Sequence, residues 1–142
     1  MSESKEMKTR LAELRSKKAE REKARAAKAE GDELVELELE EKYSKECGGD
    51  RGVVFEILDT PDGHIVVKLG EWIDYKKFTT GKQVNGTPLP EDIITFALAN
   101  LVYPTREKFL AINNKFGGVA PRCANALVTM HQGRRKDEEG KY

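Results

Sequence analysis

The feature that most constrains this chain is the run Glu91–Gly133, EDIITFALANLVYPTREKFLAINNKFGGVAPRCANALVTMHQG, which carries the densest apolar patterning and is broken by Pro104 and Pro121. Apolar residues at helical spacing (Ile94, Ala97, Leu98, Leu101 and Val102) predict a first helix. Pro104 cannot continue it, because proline lacks an amide hydrogen and disfavours helical geometry at Tyr103. Thr105 is placed to cap a second helix carrying Phe109, Leu110, Ile112 and Phe116. Gly117 and Gly118 stop it, and Pro121 suits the first turn of a third helix with Cys123, Ala124, Leu127, Val128 and Met130. A compact three-helix cluster is the expected result.

Upstream, Val53, Phe55 and Ile57 alternate with Val54, Glu56 and Leu58, and Ile65, Val66, Val67 and Leu69 follow the turn Thr60-Pro61-Asp62-Gly63. Two β-rich runs around such a turn predict a hairpin. A lone hairpin is marginal in water, so it must lie against helices or a third strand. Trp72, Ile73, Tyr75 and Phe78 suit a short helix, and the stretch after Thr79 reads as a loop, broken at Gly81, Asn85-Gly86, Pro88 and Pro90.

The first thirty residues are strong helix formers with ten Lys/Arg and six Asp/Glu. From Gly31 to Asp50 the count is two against eight, so a chain of zero net charge has a basic head and an acidic neck. Met7, Leu11 and Leu14 begin an apolar seam that lapses into alanines, too short for a long coiled-coil rod. Asp32–Cys47 alternates like a strand through Val35, Leu37 and Leu39. Its glutamates favour helix, however, and Val35, Leu39 and Tyr43 share a helical face, so a helix packing on the domain is expected. The fold class is therefore α+β: a long charged N-terminal helix, a central β-hairpin and a C-terminal three-helix cluster. Residues 1–31 form a charged helical or disordered arm, 32–133 the globular domain, and 134–142 a disordered charged tail.

Catalytic signatures are weak. His64 falls beside a hairpin turn, where a solvent-facing residue is expected, and His131 at a helix end, where a cationic imidazole suits the dipole. Cys123 and His131 are eight residues apart in one predicted helix, about 12 Å along its axis, too far for a nucleophile–base pair. Asp59 and Asp62 read as turn formers, and Gly48–Gly52 lacks the endings of a phosphate loop or dinucleotide fingerprint. Cys47 and Cys123 have no metal-site spacing. The expectation is no catalytic residue, cofactor or metal. Without an export signal or a run of about 20 apolar residues, no membrane partner is expected either.

The run Leu101-Val102-Tyr103-Pro104, Phe109, and Pro121 followed by Ala124-Asn125-Ala126-Leu127 resembles the tail assembly chaperones of tailed bacteriophages, as does the hairpin GVVFEILDTPDGHIVVKL. The resemblance covers roughly half the chain and rests on packing and turn patterns. It implies a non-enzymatic assembly factor, cytoplasmic in the bacterial host, that keeps the tape-measure protein soluble while tail-tube subunits polymerise around it. Exposed members of Tyr103, Phe109, Phe116, Leu127 and Met130 would then bind the partner, the remainder being core; self-association stays open. The competing readings are a small nucleic-acid-binding protein using the basic arm, with Lys76, Lys77 and Lys82 around Tyr75 and Phe78 as a stacking platform, and a structural adaptor retained in a particle. The acidic neck disfavours nucleic acid, because it would repel phosphates.

Overall fold

A computed structural model describes residues 2–133; the predicted charged tail lies outside the described residues. Ten elements follow in order: α1 (Ser2–Cys47), β1 (Phe55–Thr60), β2 (Gly63–Lys68), α2 (Trp72–Thr79), β3 (Gln83–Val84), β4 (Thr87–Pro88), α3 (Pro90–Ala99), β5 (Leu101–Tyr103), α4 (Arg106–Lys115) and α5 (Val119–His131). The fold is α+β, with the long charged helix, the central hairpin and the C-terminal helices in the expected places.

The chain divides into two compact units, one ending at Glu38 and one beginning at Leu39. In the first, α1 passes through Gly31 without interruption, so the expected boundary there is not an element boundary. One glycine costs a helix about 1 kcal/mol relative to alanine, which the strong helix formers on either side absorb. No side chain from Glu3 to Glu38 is buried. This unit is polar on most sides and is supported by local pairs such as Arg10–Glu13 at 3.4 Å.

The second unit is built on a three-stranded antiparallel sheet in the order β1-β2-β5. Thr60 pairs with Gly63 across Pro61-Asp62, and the Thr60 hydroxyl donates to the Gly63 carbonyl at 2.6 Å. Strand alternation sends Ile57 and its partner Val66 to one face, and Leu58 with its partner Ile65 to the other. Both faces are covered. Tyr43, Phe55, Ile57 and Val66 form one buried cluster, joined by Leu39, Cys47, Val54 and Val102. Leu58, Ile65 and Val67 belong to a larger one with Phe96 and Ala97 of α3, Phe109 and Ile112 of α4, and Cys123, Leu127 and Met130 of α5. The C-terminal turns of α1 thus cover one side of the sheet and α3–α5 the other.

Two local readings are corrected. Leu101 and Val102 do not extend the first C-terminal helix. They form β5, which pairs with β2 and supplies the third strand that the hairpin requires. The helix ends at Ala99 because Asn100 caps it: its side-chain amide donates to the Phe96 carbonyl at 3.0 Å, and its own carbonyl accepts from Lys68 N at 3.0 Å. Beyond that point Leu101 and Val102 reach opposite faces of the sheet, one cluster each, which a helix would not allow. In the stretch read as a loop, β3 and β4 form a second small hairpin. Asn85 (φ 54°) and Gly86 (φ 80°) provide the two left-handed residues of its tight turn.

The two proline breaks otherwise act as expected. Tyr103–Pro104 is a cis peptide, and the Thr105 hydroxyl accepts from Lys108 N at 3.3 Å to cap α4. Asn113 Oδ1 accepts from Ala120 N at 3.0 Å, tying α4 to the first turn of α5.

Asn100 is 1% exposed and lies against Gly70, where an added Cβ would collide with its Oδ1. Gly70→Ala is expected to lower unfolding stability by about 1–3 kcal/mol through overpacking at this junction. Urea denaturation followed by tryptophan fluorescence checks it.

Candidate partner-binding surface

The five residues expected to contact a partner separate by burial. Phe109 and Leu127 are fully buried and Met130 is 5% exposed, all in the larger cluster, so they hold the helices together. Phe116 packs against the same cluster, half-buried, with the Lys115 ammonium 5.4 Å from its ring centroid. Tyr103 is 39% exposed on β5. The sequence did not separate these roles, because helical spacing marks an apolar face without saying whether another element covers it.

The second unit also contains a groove of about 870 Å³ between the outer edge of β1, the 50–53 turn and α5. Leu58 and Met130 line it together with Arg51, Glu56, Arg122 and Asn125. The arginines are fastened to the strand edge. Arg51 Nε donates to Glu56 Oε1 at 2.6 Å, its Nη2 donates to the Ile57 carbonyl at 3.0 Å, and its Nη1 lies 3.7 Å from Glu40 Oε2. Arg122 Nη1 donates to the Asp59 carbonyl at 2.9 Å. The same Glu56 oxygen accepts from Ile57 N at 2.9 Å, and the Phe55 carbonyl accepts from Gly52 N at 2.7 Å.

An edge strand ordinarily offers a row of backbone groups to a partner strand. Here four of them on β1 are taken by the chain's own groups, so a ligand in the groove would be held through side chains. Neither arginine stood out in the sequence. Arg51 sits in a glycine-rich turn and Arg122 follows Pro121, and only the tertiary fold brings both to one edge.

Two of the three aromatic residues of α2 turn inward. Tyr75 stacks on His131 with centroids 4.6 Å apart, and Phe78 stacks on Phe96 at 4.4 Å. Trp72 remains 62% exposed beneath the Lys76 ammonium, 4.9 Å from its ring centroid. The rings expected to offer a stacking platform are therefore occupied within the domain.

The titratable groups take different positions from those expected. His64 is 6% exposed rather than solvent-facing; its Nε2 lies 3.6 Å from Asp59 Oδ1, beyond hydrogen-bond range. It is drawn in because β2 is covered on both faces. His131 is not the cationic helix-end group expected: desolvation lowers its pKa below the ordinary 6.5, and the carboxylate of Asp74 offsets this only partly. Both cysteines are free. Burial pushes the Cys123 thiol up to about 12 despite Arg122, so at neutral pH it is the protonated, weakly nucleophilic form. Among the described residues no three His, Cys, Asp or Glu side chains are grouped to hold a metal ion, and no helix is long and apolar enough to cross a membrane.

No family model, curated protein or solved structure matches the chain.

Arg51→Ala leaves Glu56 and the Ile57 carbonyl without their charged donor. The expected cost is about 1–3 kcal/mol in urea denaturation, with the fold retained by circular dichroism.

For His131, a folded-state pKa below the unfolded value means that the unfolded chain takes up the proton first as pH falls. Stability is complete above about pH 6.5 and declines below it, down to the folded pKa. In His131→Phe the decline between pH 7.5 and 5.5 is expected to be shallower than in the parent, measured as denaturation midpoint against pH.

Proposed function

We propose that the protein is a non-enzymatic assembly chaperone of a bacteriophage tail, binding the tape-measure and tail-tube proteins in the host cytoplasm during tail morphogenesis. The observation that carries this reading is the resemblance of the hairpin Gly52–Leu69 and of the segment containing Leu101-Val102-Tyr103-Pro104, Phe109 and Pro121–Leu127 to that family. In support, these separated stretches belong to one structural unit. β2 of the hairpin pairs with β5, and Leu58 and Ile65 share a core with Phe109 and Leu127.

The chemistry of a chaperone also suits the accessible groups. A long helical client requires a surface that shields an apolar stripe without sequestering it permanently. Tyr103, half-buried Phe116 and the groove beside β1 offer apolar contact beside arginine and glutamate side chains. Many weak contacts along one extended client hold by avidity and release when tube subunits compete. The inward stacking of Tyr75 and Phe78 weighs against the nucleic-acid reading, because bases would lose those platforms.

Co-expression with the tape-measure and tail-tube proteins, followed by affinity capture of this chain, tests the reading. Retention of either protein is expected; retention of neither contradicts it. Tyr103→Ala is expected to weaken capture about tenfold, equivalent to about 1.4 kcal/mol, with an unchanged melting temperature.

A further inference from the structure

The first unit presents two seams on a helix whose side chains are solvent-exposed almost throughout. At heptad spacing, Leu11, Leu14, Lys18, Arg21, Arg25 and Lys28 fall within about a third of the helix circumference. No acidic residue shares that arc between Met7 and Lys28. The seam begins apolar, with Leu11 46% and Leu14 43% exposed, and continues entirely basic. A second seam follows the same spacing at Glu30, Leu34 and Leu37, with Glu33 and Glu38 on its shoulders. Leu34 is 59% exposed and Leu37 55%. The two seams are offset by two residues, about half a turn, and so occupy roughly opposite sides of the helix.

We propose that a second copy of this chain occupies these seams, the basic seam of one molecule docking on the acidic seam of the next. Leucines on each seam meet leucines, and with the two helices antiparallel Lys18, about 6 Å beyond Leu14, comes opposite Glu30, about 6 Å before Leu34, with Arg21 one turn away. Opposite charge selects this pairing over seam one on seam one, where cations would face cations. Because the seams lie on opposite sides, one straight neighbour cannot satisfy both. The contact is heterologous and leads to an open, head-to-tail series rather than a closed two-fold dimer. The short apolar portion makes each contact weak and salt-sensitive, since exposed charges are screened over about 8 Å at physiological ionic strength. The pairing requires no client and stands apart from the chaperone reading.

Sedimentation velocity on the full chain tests it, using Lys18→Glu/Arg21→Glu to spoil the first seam and Leu34→Asp/Leu37→Lys to spoil the second. The parent is expected to gain weight-average mass as concentration rises and to lose the gain in high salt. Each variant alone is expected to remain at one chain's mass, with parent-like circular dichroism. Mixed in equal amounts, the two variants retain one intact pairing and are expected to form a 1:1 dimer that grows no further. A parent that stays at one chain's mass throughout overturns the proposal. So does an associating parent whose mixed variants fail to pair, or whose variants associate as the parent does.

Discussion

The second unit depends on the burial of β2 on both faces. Ile65, Val66 and Val67 are each fully buried, although they point alternately to opposite sides of a three-stranded sheet. That is possible only if each side has a helical cover, and the chain supplies them from distant segments: α1 from Leu39 onward on one side, α3 to α5 on the other. β1 and β5 complete the sheet, and the Asn100 junction joins the end of α3 to the end of β2. Burying an apolar side chain of this size contributes on the order of 1.5–3 kcal/mol relative to leaving it exposed. A short, lone hairpin has no comparable source of stability.

This arrangement also bears on where a partner can bind. Covering the α3–α5 side of the sheet buries Phe109, Leu127 and Met130, which are therefore withdrawn from any docking surface. Accessible apolar surface then remains at Tyr103, at Trp72 beneath the Lys76 ammonium and along the charged helix α1. At the β1 edge, Arg51 and Arg122 occupy carbonyls that would otherwise invite another strand.

Much of the fold was legible in the sequence because it is written in local chemistry. The Pro61-Asp62-Gly63 turn acts through its own backbone geometry and the Thr105 cap through a hydroxyl that bonds three residues on, whereas α4 already ends at Lys115, just before Gly117-Gly118. Leu101 and Val102 were misread because a helical period and a short strand look alike over a few residues, and their pairing with β2 is a contact across more than thirty positions. The β3–β4 hairpin was obscured by its brevity, although Asn85-Gly86 is a strong tight-turn signal. The candidate surface was less legible than the fold. Whether Leu127 or Tyr103 faces solvent depends on what lies above it, and the β1 groove arises only when Arg51 and Arg122 converge from segments some seventy residues apart.

Amide hydrogen exchange on the dilute full chain, read residue by residue, tests the central role of β2 most directly. The slowest exchange is expected at Ile65–Val67, with slow exchange in α3 and α5 and rapid exchange from Glu3 to Glu38, where no side chain is buried. Exchange at Ile65–Val67 as fast as in the first unit would contradict it.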